Sequence, residues 1–572
     1  MTSSEYRCQI TKQPFLVSDQ EADAYGRFEL PSPTVSPEER IRRLLAFRNA
    51  GKYFWRTSIQ TEERVLSSYA SGIPFPVAAS SDELCGRFDP KTFGRPFDLS
   101  VSFFQQLYGL WAAVPRPAVS CCELEDCVAV QNSYRAARCV LVSNSVEVER
   151  CMYSDSLYDC SDCCDSLFLR HSSGCLECIN CRYCQNLCYS EHCTYCSDSW
   201  FLSGCEDCRN CVFCVNLSGA SYCIFNKQVS QSEYEEFIRS LMLNTRNGLD
   251  AAIERFSAFA KDHPEPHIYG EPAETISGNY LYDCRDVFGS FECDHAANLI
   301  GCCSLVSADT CIEGCGFGAE LRNCAQFVSV GLNAHHVVNS LNCFNNVRYL
   351  TYCIDCTESA NCFGCVGLNG AEYCILNQPY TKQAYVETVK KIRAALEATS
   401  QWGCFFTYAF SSYAYNNSAA AQYMPVTKVQ ASVIHLLWDE SDEEVKPSEL
   451  LGDLGSAGAG RYSEPIASLE DVLQSDKQQL VLLCELSGRP FQIRREEVQM
   501  YQHWKVVPPN RCFEERQTRR VNRLTPRKLG RLIEFEGQQL ESSFPERWNR
   551  DVVAHDKWRV LVDENSRRAL RS

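Results

Sequence analysis

This chain of 572 residues has no long apolar run. No stretch approaches the roughly 18 consecutive apolar residues that a membrane-spanning helix needs. The first ten residues, MTSSEYRCQI, lack the basic segment and the apolar run of a secretory signal. We therefore expect a cytoplasmic protein that does not enter membranes and whose thiols stay reduced. The net charge of −17 argues against a chain that coats nucleic acid or an anionic membrane over its whole surface.

Familiar catalytic motifs are also missing. The sequence has no Walker loop, dinucleotide fingerprint, HExxH pair or nucleophile elbow. His335 and His336 are adjacent, but no carboxylate is placed with them. A reactive cysteine needs a base and an accessible, electropositive setting, and the sequence singles out no cysteine by that criterion. We therefore predict no catalytic residue and favour a protein that is not an enzyme.

Cysteine is the residue that the sequence has in excess. All but five of its 38 cysteines lie in two blocks, Cys121 to Cys223 and Cys284 to Cys374. Within each block the cysteines recur at steps of three and nine residues, as in the stretch CLECINCRYCQNLCYSEHC that starts at Cys175. These regular steps indicate a repeat architecture.

The two blocks are copies of each other. A shift of 151 residues carries seven cysteines of the first block onto cysteines of the second, and SYCIFNK onto EYCILNQ. Each copy precedes a helical pattern, SQSEYEEFIRSLMLN in the first case and TKQAYVETVKKIRAALEA in the second, with Ser or Thr suited to an N-cap. The sequence thus predicts two repeat units, each followed by a helix.

The two ends of the chain are also similar to each other. A shift of 476 residues, without a gap, aligns Tyr25 with Tyr501 and Arg40 with Arg516, among other matches. Before the C-terminal copy, DESDEEVKPSELLGDLGSAGAGRYSEP is acidic and then rich in Gly, Ala and Ser, which is typical of a linker. The predicted order is an N-terminal end module with a helical segment, a first cysteine block with its helix, a second cysteine block with its helix, the linker, and a basic C-terminal end module: 1–120, 121–262, 263–438, 439–465 and 466–572.

Steps of three and nine residues suit a chain that bends every few residues, so that residues at these spacings return to the same side of the structure. A straight strand alternates its two faces, and a helix prefers a period of 3.6 residues, so neither keeps the cysteines on one side. Two nine-residue steps predict a β-solenoid coil of about 18 residues, with small, buried cysteines along its interior. The fold class that follows is mainly β, with two tandem cysteine-lined β-solenoid blocks, each followed by a helix, and two similar small α+β end modules that flank them.

One quartet of cysteines has the spacing of metal ligands. Cys178, Cys181, Cys184 and Cys188 match the cluster loop of a bacterial ferredoxin, but the proline expected next is Tyr189. The second copy has no cysteine at the equivalent positions, which are Ser329, Leu332, His335 and Asn339. We therefore predict that the quartet lines the first solenoid without metal, and no cofactor is favoured. Zinc or an iron–sulfur cluster on the quartet is the alternative.

The end modules contain another candidate zinc site. Cys484 and Cys512 are near each other in the sequence, and His503 between them would be a third ligand. The first copy has only Cys8, with Ser36 at the position of Cys512. Because a tetrahedral zinc site needs four ligands, we favour a histidine without metal. The basic stretch RQTRRVNRLTPRKLGR leaves a nucleic-acid surface, or a docking surface for the acidic linker, as further alternatives.

A family resemblance lies in RFDPKTFGRPFDLSVSFFQQLYGLWAAVPRP, in WGCFFTYAFSSYAYNNSAAAQYMPVTK, and in the short motifs CIFNK, CILNQ and TPRKL. Over most of its length the chain resembles the uncharacterised cysteine-rich repeat proteins of candidate-phyla bacteria. The resemblance implies no established activity, although such proteins often carry the label of a CaiB/BaiF-type CoA transferase. It also implies small zinc-binding end modules, and here Thr11, Ser36 and Ser487 stand where such ligands would be.

Extended repeat surfaces suit binding. We therefore predict a non-enzymatic cytoplasmic scaffold for macromolecular interaction, with a protein partner that the sequence does not identify. A zinc- or iron–sulfur-binding cysteine-rich protein is the alternative, and an enzyme of the CoA-transferase class is a third.

Overall fold

The structure is a computed structural model that describes most of the chain. The described residues are 3–27, 29–79, 88–271, 276–316, 321–325, 328, 348–441, 443–446, 450, 464–474, 479–528, 530–535, 538–545 and 550–570. Within these ranges, no helix is long and apolar enough to cross a membrane.

Strands and helices both contribute to the fold. The helices are α1 (Asp19–Arg27), α2 (Pro37–Ala46), α3 (Phe103–Ala113), α4 (Gln231–Ser240), α5 (Arg246–Lys261), α6 (Lys382–Ala398), α7 (Ala419–Tyr423), α8 (Lys428–Val433), α9 (Leu469–Leu473), α10 (Arg495–Trp504), α11 (Phe513–Val521) and α12 (His555–Ala569). The strands are Ser3–Arg7, Pro14–Ser18, Tyr53–Thr57, Arg64–Ser67, Val77–Ala78, Arg116–Pro117, Cys121–Glu125, Ser133–Ala137, Val140–Ser143, Val146–Glu149, Met152–Tyr158, Leu167–Arg170, Gln185–Cys188, Ser197–Ser203, Val212–Val215, Cys223–Ile224, Lys227–Gln228, Glu265–Pro266, Ile276–Ile300, Cys303–Val306, Ala308–Ile312, Leu321–Ala325, Arg348–Thr351, Ala360–Phe363, Cys374–Ile375, Gln378–Pro379, Glu444–Val445, Gln479–Leu483, Pro490–Arg494, Arg531–Phe535, Gln538–Ser542 and Val552–Val553.

Residues 121–228, hereafter the first stack, form a column of short parallel strands and bridges. Paired residues lie twelve positions apart along the chain, as Leu167 and Ile179 do. The column ends in an antiparallel hairpin, in which Cys223–Ile224 pairs with Lys227–Gln228. The chain therefore climbs in coils of twelve residues.

The predicted coil of about 18 residues is wrong. Nearly every third residue of the first stack has a positive φ, as at Glu177 (54°), Asn180 (51°) and Tyr183 (55°). The backbone turns at each of these left-handed residues, and four three-residue units complete one coil. A nine-residue step therefore spans three of the four corners, which is why the cysteine spacing alone does not set the coil length.

The residue that follows each left-handed corner points into the stack. Cysteines take many of these interior positions, and leucine, serine and alanine take others. Their thiols donate hydrogen bonds to nearby carbonyl groups, as Cys184 does to the carbonyls of Arg182 (3.0 Å) and Cys193 (3.6 Å). A small side chain with a weakly polar tip therefore suits an interior lined by carbonyl oxygens.

Residues 276–316, 321–325, 328 and 348–379, hereafter the second stack, repeat this arrangement. Its pairs also lie twelve residues apart, as Ile354 and Val366 do. One exception occurs where Cys311 pairs with Cys324, thirteen residues further on. A single extra residue is therefore accommodated within this coil.

The last coil of each stack ends in the same way. Asn226 exchanges two hydrogen bonds with the backbone of Val215, and Asn377 exchanges two with the backbone of Val366. The helices α4 and α6 then begin, and a serine or threonine side chain caps the first turn of each, as predicted. The same contacts thus recur at a distance of 151 residues.

The two end modules share one order of elements, a strand hairpin followed by two helices. In the N-terminal module, Ser3–Arg7 pairs with Pro14–Ser18, and α1 and α2 follow. In the C-terminal module, Gln479–Leu483 pairs with Pro490–Arg494, and α10 and α11 follow. Each element of the second module begins 476 residues after its counterpart, in agreement with the sequence comparison.

The end modules pack on the stacks in a crossed order. The N-terminal module contacts the second stack, where Arg40 pairs with Glu313 at 2.8 Å. The C-terminal module contacts the first stack, where Arg516 and Arg520 both pair with Asp165. These side chains are buried, so each charge depends on its partner across the contact. The chain thus begins on its second stack and ends on its first.

The predicted linker, 439–465, is described only in part. Glu444–Val445 pairs antiparallel with Tyr53 and Phe54, so this piece is held on the N-terminal half of the chain. Residues 451–463, the Gly- and Ala-rich portion, lie outside the described residues.

Candidate functional site

Three of the four cysteines in the predicted quartet line the interior of the first stack. Cys178, Cys181 and Cys184 are fully buried there, and each thiol donates to carbonyl groups. Cys188 lies outside this interior, in the cluster that includes α5 and the C-terminal module. The interior position predicted for Cys188 is wrong because the register advances in threes, which places Leu187 inside instead.

Metal ligation was the alternative for this quartet. A cluster needs its thiolates to converge on one centre, whereas three of these thiols point inward and one points outward. Among the residues that the structure describes, no group of three or more histidine, cysteine or carboxylate side chains is placed to hold a metal ion. The equivalent positions of the second copy, together with His336, lie outside the described residues: Ser329, Leu332, His335 and Asn339.

The N-terminal module surrounds one thiol with hydrogen-bond donors. The sulfur of Cys8 accepts the backbone N–H of Thr11 at 3.5 Å. Burial opposes ionisation of this thiol, but hydrogen bonds from Ser36 and Thr11 outweigh it and lower the pKa of Cys8 to about 7. The positions that the resemblance linked to zinc ligands therefore do lie together, and they hold one thiol and two hydroxyls.

The C-terminal module repeats this arrangement with a second thiol. Burial is again opposed by hydrogen bonds from Ser487, so the pKa of Cys484 is lowered. The hydroxyl of Ser487 lies 3.8 Å from the sulfur of Cys512. His503, the proposed third ligand, is exposed on α10 with its ring against Trp504. Within the described residues, this pair of thiols therefore has no third metal ligand.

The basic stretch that follows α10 faces the stacks. Five of its arginines pair with carboxylates of the protein itself: Arg516 and Arg520 with Asp165, Arg519 with Glu177, Arg523 with Glu191, and Arg527 with Glu292. These guanidinium groups are engaged within the chain and do not form an open surface for a polyanion. The described part of the predicted docking surface is therefore in contact with the stacks.

A row of three aromatic rings, the outer two exposed and the central one half-buried, runs along one corner of the first stack. His171, Tyr183 and Tyr195 lie twelve residues apart, one on each of three successive coils. Their rings stack at centroid distances of 5.1 Å, with interplanar angles of 12° and 18°. We call these three residues the aromatic ladder. The signal was present in the sequence as a spacing of twelve, which the expected 18-residue coil concealed.

Acidic and amide side chains surround the aromatic ladder. The row begins with Asp159, which pairs with His171 at 3.1 Å, and it continues after Tyr195 with the exposed Asp207. On the adjacent corner, the Asn186 amide donates to Asp198 at 2.9 Å. Tyr195 is 60% exposed. The site therefore offers an aromatic face beside carboxylates, a setting that favours cations.

Comparisons with known proteins find no matching family model, no matching curated protein and no matching solved structure.

Proposed function

We propose that the protein is a non-catalytic scaffold, built on two cysteine-lined β-solenoids, that binds a partner protein along the aromatic ladder. The ladder is the observation that supports this proposal most strongly, since aromatic rings at the surface in a fixed row are suited to recognition. We expect such a row to bind a partner, because stacked coils present an extended and regular surface.

Rigidity supports the same function. Each coil is tied to its neighbours by backbone hydrogen bonds, as Glu177 N–H is to the Cys164 carbonyl and Leu176 N–H to the Leu187 carbonyl. The C-terminal module covers other faces of the first stack, for example through Trp558 of α12, whose indole N–H donates to Asn216. A ladder held on such a frame is preorganised, which lowers the entropy cost of binding.

The chemistry around the ladder indicates a basic partner segment. The outer face of Tyr195 is followed by Asp207 and flanked by Asp198, and the chain carries a net charge of −17. An arginine side chain would stack on the ring while its guanidinium meets the carboxylates. The proposed partner is therefore a protein with an exposed arginine-containing segment.

Synthetic peptides test this proposal directly. A peptide with two central arginines should bind the full-length protein more tightly than the same peptide with glutamates, as measured by isothermal titration calorimetry at low salt. Tyr195→Ala should weaken binding of the arginine peptide about fivefold, the value of an exposed cation–π contact. Tyr349→Ala is the matched control, because Tyr349 is a similarly exposed tyrosine on the second stack, and it should leave the affinity unchanged. Equal affinity for both peptides, or no effect of Tyr195→Ala, would contradict the proposed site.

A further inference from the structure

A pair of cysteines lies outside the interior of the second stack. Cys303 and Cys315 are bridge partners on adjacent coils, twelve residues apart. Both are fully buried, but they belong to the apolar cluster shared with the N-terminal module rather than to the interior row. The backbone of Cys303 is hydrogen-bonded to the residues on either side of Cys315, since its N–H donates to the Gly314 carbonyl at 2.8 Å and its carbonyl accepts the Gly316 N–H at 3.1 Å. Two thiols are therefore held side by side where the stack meets the rest of the protein.

Positive charge surrounds this pair. The Arg48 guanidinium donates to the Cys315 sulfur at 3.9 Å and to the Asn144 side chain at 2.8 Å. Within the described part of the chain, no carboxylate lies within ion-pair distance of Arg48, and Asp155 is reached only through Asn144. Arg48 is half-buried, and a guanidinium group partly withdrawn from water is stabilised by a nearby negative charge. The Cys315 sulfur is the group placed to supply it.

A second arginine adds to this field. Arg527 is buried, pairs with Glu292 and lies over the ring of Tyr423. Burial opposes ionisation of Cys315, but a hydrogen bond from Cys303 and the charges of Arg48 and Arg527 lower its pKa to about 7. Burial and the hydrogen bond to Cys315 raise the pKa of Cys303 well above its usual value. The two thiols therefore differ: the positive charges near Cys315 favour its thiolate form, and burial favours the thiol form of Cys303.

We propose that Cys303 and Cys315 form a redox-active dithiol site that reduces a small peroxide and closes to a disulfide. The site is independent of the aromatic ladder and of the partner proposed for it. Arg48 is its positioning residue, because it touches the sulfur of Cys315 but no reacting oxygen.

The chemistry balances for hydrogen peroxide. The Cys315 thiolate attacks one oxygen and the O–O bond breaks, which leaves a sulfenic acid and a hydroxide that takes up the proton first lost by Cys315. The sulfur of Cys303 then attacks the sulfenic sulfur, the S–O bond breaks, and the thiol proton leaves with the hydroxide as a second water. Two thiols and one peroxide thus give one disulfide and two waters, and an added dithiol reductant restores the thiols.

Geometry allows both the disulfide and the oxidant. Adjacent coils lie about 4.8 Å apart, which falls within the roughly 4.4–6.8 Å between the Cα atoms of disulfide-bonded cysteines. A cavity of about 60 Å³ between the two stacks is lined by Glu292, the partner of Arg527, and by Ser304, the neighbour of Cys303. A water molecule needs roughly 10–15 Å³ of such space, so hydrogen peroxide fits in this cavity, which adjoins Ser304 and Glu292 but is not lined by either sulfur.

Oxidation also has a structural consequence. The disulfide carries no charge, so Arg48 loses the anion that compensates it within the contact between the stacks. We expect the segment around Arg48, which follows α2, to be held less firmly after oxidation. Hydrogen exchange in residues 41–57 should then increase in the oxidised protein.

The test uses the full chain, reduced and purified without oxygen, with one equivalent of hydrogen peroxide at several times. Remaining thiols are alkylated under denaturing conditions, and cleavage before Asp309 separates Cys303 from Cys315 for mass spectrometry. The expected product is a linkage between Cys303 and Cys315 that forms at least about tenfold faster than any linkage among the interior cysteines. Arg48→Gln should slow its formation about tenfold, and Arg48→Lys should retain most of the rate.

Two further measurements test the proposal even if the Arg48 variants fold poorly. In the unmodified protein the rate should rise with pH up to about 7 and then level off, since the groups that face Cys315 in the described structure are Cys303, Arg48 and Arg527. A rate that climbs without levelling until pH 9 would overturn the assignment. Cys164→Ser should leave the linkage unchanged, whereas an unaltered peroxide reaction in Cys315→Ser, or linkages spread over the interior, would refute it.

Discussion

Cys164 and Cys315 occupy the same position on the two stacks, 151 residues apart, yet the charged groups near the two thiols have opposite signs. The residue after Cys164 is Asp165, to which its thiol donates at 3.8 Å, whereas the residue after Cys315 is Gly316. Burial raises the pKa of Cys164 well above its usual value, and Asp165 raises it further. The pKa of Cys315 is lowered to about 7 despite burial. The stack determines where a thiol lies, and the module that packs on it determines the chemistry of that thiol.

The contacts between the end modules and the two stacks also differ in the position of the carboxylate that receives the arginines. On the first stack, Asp165 is the anion that receives Arg516 and Arg520. On the second stack, Glu313 receives Arg40 one coil corner away, and the position equivalent to Asp165 is left without a carboxylate. On the second stack Arg48 therefore contacts the Cys315 sulfur, whereas on the first stack the arginines contact the carboxylate of Asp165.

The largest effect should come from removing the carboxylate of the first stack. Asp165→Ala would remove the carboxylate that Arg516 and Arg520 share and leave them only the more distant Glu497 (3.7 Å) and Glu177 (3.4 Å). We expect a loss of about 3–5 kcal/mol in the free energy of unfolding. Denaturant titration measures it. Asp162→Ala is the matched control, because Asp162 lies one corner earlier and pairs with Arg150 on the exposed surface; it should cost less than about 1 kcal/mol. Similar losses in both variants would show that the buried contact does not hold the module.

A pH-dependent effect of intermediate size should come from Glu497 in the same contact. Burial raises its pKa from 4.5 to about 7, against the opposing charge of Arg516 and a hydrogen bond from Tyr153. Because the folded state holds this proton more tightly, Glu497 contributes its full stability below pH 4.5 and loses it as the pH rises through 7. The contribution is about 3 kcal/mol at most.

Glu497→Gln isolates this contribution from the other buried carboxylates. Glu177 and Glu191 have lowered pKa values because arginines outweigh their burial, so their contributions are lost as the pH falls. The difference in unfolding free energy between the protein and Glu497→Gln should therefore shift between pH 4.5 and 8 in favour of the variant. A constant difference across this range would contradict the raised pKa.

Several elements were predictable from the sequence because each rests on local chemistry or on an ungapped repeat. The two end modules follow from the shift of 476 residues, and α4 and α6 follow from an apolar period with a serine or threonine cap. The fold contains both strands and helices, as expected. The scaffold function, the family resemblance and the cytoplasmic location stay predictions.

Other features depend on long-range packing that residue spacing does not encode. The coil length is set by left-handed corners, and residues such as Glu177 and Tyr183 adopt them although neither is a glycine. The crossed docking of the end modules places residues more than 250 positions apart in contact, as with Arg40 and Glu313. For the same reason Arg48 could not be linked to Cys315 from the sequence.

A smaller effect should come from exchanging serine and cysteine inside the first stack. Ser190 occupies the interior, where its hydroxyl donates to the Cys188 carbonyl (3.0 Å) and accepts the Leu202 N–H (3.1 Å). The thiol of Cys181 donates to carbonyls in the same manner. Cys181→Ser and Ser190→Cys should each cost about 1 kcal/mol or less, because the same partners remain.

Ser190→Ala provides the contrast, since it leaves the Leu202 N–H without that acceptor and should cost about 1–3 kcal/mol. Thermal or denaturant unfolding of the three variants separates these outcomes. If Cys181→Ser were as damaging as Ser190→Ala, the interior would not accept hydroxyl and thiol alike.

The smallest effect should come from the aromatic ladder. Tyr183→Ala removes the central ring and both of its stacking contacts, and we expect a loss of about 0.5–1.5 kcal/mol in the free energy of unfolding. The same change at Tyr195 removes one contact and should cost less. An equal or reversed order would show that the rings do not act as a continuous row.

The contrast between Cys164 and Cys315 is tested most directly by an ultraviolet titration of thiolate absorbance in the reduced protein and in two variants. Cys315→Ser should lose one thiolate that titrates near pH 7. Cys164→Ser should lose no thiolate signal up to pH 9, because burial and Asp165 keep that thiol protonated. The same titration in both variants would contradict this contrast, since it would mean that the packed modules leave the ionisation of the two cysteines unchanged.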